Sequence, residues 1–262
     1  IDYERKILIK EIREILKESS NDYDYYLGGI EMISNDIISF VKNDIIIFSL
    51  LVVSLVIIIL FSIFRKIKWV FVILSSSIFS VYSMLGLIGF LKFEITAISA
   101  NSISLMFILS VSMNIHILNH YLQTKNELIK TLKIMFWPCF YTFLTTLVAF
   151  LSLTLSEIKP VIDFGLIMII ALIIILLSSF TILPFFISFF IKDMNKKYIN
   201  FSIIQSFTHL ANKFKIFIIG ANISLFIISI YGITNLNVEN SFIKYFKKST
   251  EIYKGMKLID SQ

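Results

Sequence analysis

Charge is scarce in this chain. Of its 262 residues, 16% are charged and 57% are hydrophobic, and mean hydropathy is +0.84. A water-soluble domain of this length carries more charge than that, so a purely soluble fold is excluded. Cysteine is scarcer still. Cys139 is the single thiol, which rules out an intramolecular disulfide and any metal site built on paired cysteines. Catalytic signatures are missing as well. There is no glycine-rich loop ending in Gly-Lys-Ser/Thr, no His-Glu-x-x-His and no Gly-x-Ser-x-Gly. Nucleotide hydrolysis, zinc peptidase chemistry and serine hydrolysis therefore lose their sequence basis. The expectation is a non-enzyme with no catalytic residue, no metal ligand and no cofactor.

What is present is hydrocarbon. A bilayer core about 30 Å thick takes roughly 20 apolar residues as a helix. Ile45–Phe64 and Trp69–Leu91 meet this, and a more polar third span runs from about Ile95 to Tyr121. The fourth is about Phe136–Ser156 and the fifth about Pro160–Phe190, long enough to tilt. Phe214–Ile233 is a sixth candidate. All are expected to be helices, because lipid gives backbone groups no partners and no segment alternates like a barrel strand.

Basic residues orient these spans. Loops one–two, three–four and five–six hold Arg65, Lys66, Lys68, Lys125, Lys130, Lys133, Lys192, Lys196, Lys197, Lys213 and Lys215. The alternate loops hold only Lys92 and Lys159, an asymmetry of eleven to two. The positive-inside rule puts the basic loops in the cytoplasm and both chain ends outside. The net charge of +6 is dispersed along membrane-flanking loops, which argues against nucleic-acid binding.

The flanking pieces read as parts of α+β domains. Residues 3–18 form an amphipathic helix with Ile7, Ile9, Ile12, Ile15 and Leu16 on its apolar side. A short strand in Asp22–Ile30 passes through Tyr25-Tyr26-Leu27 to Gly28-Gly29, and a helix over Glu31–Asn43 runs into the first span. At the other end, Asn235–Asn240 reads as a strand and Ser249–Ile259 as a helix. With no starting Met and a stop inside a helical pattern, the chain reads as cut at both ends.

This layout resembles the resistance-nodulation-division (RND) superfamily, in particular its MMPL-like bacterial exporters. Tyr26-Leu27-Gly28-Gly29 looks like the closing strand before span two of that fold, and Phe64-Arg65 like the end of that span. Ile98-Ser99-Ala100-Asn101-Ser102-Ile103 and Ile115-His116-Ile117-Leu118-Asn119-His120-Tyr121 resemble stretches bracketing span four. Pro138-Cys139-Phe140-Tyr141-Thr142-Phe143-Leu144-Thr145-Thr146 and Lys159-Pro160-Val161-Ile162-Asp163-Phe164-Gly165 resemble the starts of spans five and six, and Asn240-Ser241-Phe242 a strand after span seven. The five spans also resemble a sterol-sensing domain. The resemblance implies an all-α polytopic bundle of about six transmembrane helices with partial α+β porter pieces at both ends. Residues 1–43 would close a first extracytoplasmic porter domain, and 44–191 would be the five-helix membrane unit. Residues 192–213 would be a cytoplasmic linker, 214–234 span seven, and 235–262 the start of a second porter domain.

The function so implied is a segment of a bacterial inner-membrane exporter. It would move hydrophobic or lipid-like substrates, driven by an ion gradient of H⁺ or Na⁺, amid membrane lipids. A homo-oligomer or a periplasmic partner protein is compatible with it. One departure stands out. Many such exporters carry an Asp in span four where this chain has Ser112 and Met113. The alternative is a sterol-sensing-like lipid receptor or membrane assembly factor without transport.

Polar groups inside the spans are the candidate coupling residues, because they are costly there. Asn101, Ser112, His116 and Asn119 fall within about 60° on an ideal helix, with Asn114 pointing the other way. Thr142, Thr145 and Thr146 form one stripe, and Asp163 is the carboxylate nearest a span core. The bland reading is that these residues join helices, since such bonds are worth about 1 kcal/mol across spans and threonine hydroxyls can bond to their own helix.

The orientation is testable with single cysteines at Glu94 and Lys130 in a Cys139→Ser background. An impermeant thiol reagent on intact cells should label position 94 and leave position 130 untouched. Labelling of 130 alone reverses the orientation.

Overall fold

The computed structural model describes residues 2–18, 27, 29–93, 96, 98–124, 127–190, 214–234, 248 and 250–260. Eight α-helices cover most of them: α1 Asp2–Glu18, α2 Ile30–Phe64, α3 Ile67–Phe90, α4 Ser102–Gln123, α5 Leu128–Leu153, α6 Lys159–Phe190, α7 Lys215–Thr234 and α8 Glu251–Asp260. A 3₁₀ turn, Ser99–Asn101, precedes α4. No strand occurs among the described residues. The expected strand at 235–240 lies outside them, as does nearly all of the one at 22–30, so the α+β character of the ends is not shown. The linker over 192–213 also lies outside them.

Five helices, α2 to α6, are long and apolar enough to cross a bilayer. The expected sixth span is helical over Lys215–Thr234. Its described apolar run, Ile219–Thr234, is shorter than the other five.

The chain divides into two compact units. One comprises residues 1–35 and 199–262. Its helices α1 and α8 are amphipathic, and Ile9, Met32 and Ile252 are buried. The other, residues 36–198, holds the five spans. Within it α3, α4 and α6 pack on one another, and α5 packs on α6 and α4. Met84 and Ile88 of α3, Met106 of α4, and Ile167, Ala171, Leu172 and Ile175 of α6 form the core, with Phe143, Leu147 and Phe150 of α5 against it. Transmembrane α2 is peripheral. From Ile46 to Phe64 only Leu60 and Phe64 are buried, while Ile46, Ile47, Leu50, Ile58 and Ile59 are exposed. No hydrophobic force drives apolar helices together in lipid, so exposed isoleucine costs nothing there.

Chain reversals are tight. Arg65 takes a left-handed φ of 50° between α2 and α3, and its amide donates to the Phe61 carbonyl at 2.9 Å. Lys92, at φ 57°, ends α3 in a Schellman arrangement: Phe93 N–H donates to Ile88 O at 3.1 Å and Lys92 N–H to Gly89 O at 3.2 Å. Both α2 and α3 thus end on a lysine or arginine where glycine is the usual choice.

The α5–α6 reversal depends on Gly165. A Cβ there would lie 3.0 Å from the Phe150 carbonyl oxygen and 3.1 Å from Leu153 Cβ. The adjacent Phe164 ring meets Phe150 edge-on at 5.9 Å. Overpacking of such a contact costs about 1–3 kcal/mol. Gly165→Val should therefore lower the thermal midpoint in detergent. Gly86→Val, where nothing lies within 4 Å, should not. Equal midpoints would remove the close α5–α6 approach.

Candidate functional site

The polar candidates on α4 and α5 meet around one cavity. On α4, Leu109, Ser112, Met113 and His116 recur at helical spacing and point at α5. On α5, Pro138, Cys139, Thr142, Phe143 and Thr146 do the same, and Leu172 and Ile175 of α6 form the floor. The space is about 210 Å³. Ser112 and His116 are exposed on its rim, while Cys139 is buried beneath them.

The threonine hydroxyls bond to their own helix. Thr142 Oγ1 donates to Pro138 O at 3.0 Å, and Thr146 Oγ1 to Thr142 O at 2.8 Å. Their protons are committed, so toward the cavity Thr142 and Thr146 offer lone pairs. Proline has no amide to give, so Pro138 leaves the carbonyl one turn before it without its helical donor. The wall is therefore acceptor-rich, and His116 adds its imidazole to it. Among the described residues no group of three His, Cys, Asp or Glu side chains is arranged to hold a metal.

Other candidates lie elsewhere. Asn101 closes the 3₁₀ turn before α4, exposed, and does not line the cavity. Asn119 is half-buried beyond His116 and does not line the cavity. Thr145 shares the back-bonding, to Tyr141 O at 3.1 Å and Thr142 O at 3.0 Å, but is exposed and outside the cavity lining. Asp163, half-buried, is the fifth residue of α6. It precedes Leu172 of the cavity floor by nine residues, about 14 Å along the axis.

The sequence reading passed over a second polar set, on the opposite face of α4. Asn114 is fully buried, and its Nδ2 donates to Ser77 Oγ at 3.0 Å. Ser110 Oγ donates to Ser80 Oγ at 3.4 Å, and Ser80 Oγ to Ser76 O at 3.1 Å. All five side chains have no solvent exposure. Their signal was in the sequence. Ser76, Ser77 and Ser80 on one span and Ser110 and Asn114 on the next each recur at three or four residues, the spacing of a helix interface.

A sequence model described as MMPL family matches residues 4–115. That stretch takes in the described parts of α1, α2 and α3 and α4 as far as Ile115, one residue short of His116. Comparisons with curated proteins and with solved structures find no match.

The cavity predicts the chemistry of the buried thiol. A small permeant maleimide should modify Cys139 through the opening beside Ser112. Ser112→Trp, which fills the opening, should slow that reaction about tenfold or more without lowering folded yield. An unchanged rate places Cys139 away from the cavity.

Proposed function

We infer function from one premise: residues 4–115 match the MMPL family model and five helices are long and apolar enough to cross a membrane, which together support a multi-pass membrane protein of the RND transporter kind. Our reading is an exporter segment in a bacterial inner membrane. It moves hydrophobic or lipid-like molecules under an ion gradient, with the basic loops in the cytoplasm. The observation carrying this is the α4–α5 cavity. Ser112, His116, Thr142 and Thr146 are polar groups facing one space between two spans, where lipid offers them nothing. Helix joining alone does not need an opening of about 210 Å³ between the helices it joins.

In this reading α4 and α5 change their separation during the cycle, and the cavity gives water and the coupling ion access to α4. Ser112 stands near the position where related exporters carry an Asp. Ser112→Asp is therefore expected to move coupling towards protons.

A second reading has its own observation. An apolar cleft of about 300 Å³ lies between Ser49, Val52 and Val53 of α2, Val81, Tyr82 and Leu85 of α3, and Ile103 and Phe107 of α4. A lipid tail fits such a cleft, as a sterol-sensing-like receptor without transport requires. The membrane-assembly role belongs with this second reading.

Flux separates the two. With the full chain in proteoliposomes and a fluorescent acyl lipid as probe, an imposed ion gradient should drive transport per folded molecule. Asp163→Asn and His116→Ala should each reduce it several-fold. Binding of the probe with no gradient-driven flux supports the receptor. Unchanged flux in both variants removes these residues from coupling.

A further inference from the structure

The core of the α3–α4–α6 triangle changes character along its length. Towards the end of the bundle away from Arg65–Lys68 it is apolar, built on Met84, Met106 and Ala171, each with no exposure. Eight residues from each of these, towards the basic-loop end, stand Ser76, Asn114 and Ser179. Eight residues is about 12 Å on every helix, so the three come level. All three have no solvent exposure. Beyond them the core is apolar again, with Ile73, Ile117, Leu118 and Leu183 buried.

Each of the three holds an unmet valence. Ser76 Oγ, Asn114 Oδ1 and Ser179 Oγ are buried and have no hydrogen-bond partner. The neighbouring groups are already committed. Asn114 Nδ2 is tied to Ser77 Oγ, Ser80 Oγ donates to Ser76 O, and Ser178 Oγ donates to Ile174 O at 2.7 Å. The bond to Ser77 fixes the amide plane and holds Asn114 Oδ1 inside the core. A buried polar atom left unpaired in hydrocarbon is costly, so three at one level point to an occupant.

The chemistry of the ring narrows what that occupant is. Serine and asparagine do not titrate in the physiological range, so the ring cannot hold a proton as a carboxylate does. An anion buried in hydrocarbon needs a cationic partner, and the buried polar residues of this core include no Lys, Arg or His. A divalent cation draws on carboxylates, and this level of the core has none among its buried polar residues. Neutral oxygens on three packed helices suit a small dehydrated monovalent cation.

We propose that Ser76, Asn114 and Ser179, backed by the lone pairs of Ser77 and Ser80, form a Na⁺ site in the centre of the α3–α4–α6 core. Its role rests on the transport reading above: Na⁺ there is the coupling ion, which accounts for a span-four helix lacking the Asp of its relatives. The binding itself does not depend on transport. Asn114 lies on the opposite side of α4 from Ser112, so cation binding and cavity opening act on one helix from its two faces.

The test uses the full chain in lipid nanodiscs. Its thermal midpoint is followed in NaCl, KCl and choline chloride at equal ionic strength. At about ten times the dissociation constant, Na⁺ should raise the midpoint by about 3 °C over K⁺ and choline. Ser76→Ala and Ser179→Ala each delete one hydroxyl with little change in volume, and each should abolish most of that difference. Asn114→Asp should enlarge it at alkaline pH. Equal wild-type midpoints in the three salts overturn the site and leave the oxygens to water. A Na⁺ effect that persists in both alanine variants overturns its placement. Gradient-driven flux that ignores Na⁺, in a protein that Na⁺ stabilises through these residues, overturns the coupling role and keeps the site. If no flux occurs at all, the transport reading fails while the Na⁺-specific midpoint shift still stands.

Discussion

Hydrocarbon cannot hydrogen-bond, and that constraint governs every polar choice in this bundle. Most hydroxyls in the spans comply in the cheapest way, by turning back onto their own helix. Ser54 donates to Leu50 O, Thr181 to Leu177 O and Ser152 to Ala149 O, at 2.7–2.8 Å. Such a hydroxyl is neutral towards lipid and says little about function. Information sits in the groups that cannot comply. An asparagine amide, an imidazole and a hydroxyl turned away from its own carbonyls must be met from another helix or by a ligand. In this bundle those groups concentrate on the two faces of α4.

Packing explains why α4 carries both. It lies between α3 and α6 on one side and α5 on the other, so one face is sealed and the other opens onto a cavity. The sealed face is held by hydroxyl and amide bonds, Asn114 to Ser77 and Ser110 to Ser80. Each of these is worth about 1 kcal/mol. The α5–α6 contact differs. Backbone approaches side chain at Gly165 so closely that little movement is open to it. The joint between α5 and α6 is close at that end, whereas the joint between α3 and α4 is made by hydrogen bonds.

The helices were legible because membrane spans announce themselves by length and hydropathy, and five of the expected spans are there. The run of α2 straight from residues 30–43 into the membrane was legible too, since no glycine or proline interrupts it. Ser112 and His116 on one side of a helix, and Thr142 and Thr146 on one stripe, were legible from spacing; that the two sets meet is a fact of packing. Asn101 stands outside the cavity lining because it lies eleven residues before Ser112, about 16 Å along the axis, a separation that an angular projection does not register. The serine seam was missed for a different reason. Serine scores as mildly polar wherever it occurs, and its value depends on whether two spans bring their serines to one level. A single span's sequence does not contain that fact. Gly165 carries the same lesson: its role is a distance to the Phe150 carbonyl on another helix.

The missing span-four carboxylate sharpens the question of what carries charge. Proton coupling through the α4–α5 cavity would rest on His116, with Asp163 about 14 Å from the cavity floor and unable to share a proton with it directly. An imidazole alone binds its proton as a net positive charge in a low-dielectric space, with no carboxylate in the cavity lining to offset it. A neutral ring of oxygens faces the same charge but meets it with several dipoles at once. It also does so inside the core, where those dipoles are already oriented by bonds such as Asn114 to Ser77. Preorganisation therefore favours the sealed face for holding an ion and the open face for letting water and ions reach α4. One helix then serves both purposes, because its two polar faces differ in access and not in composition.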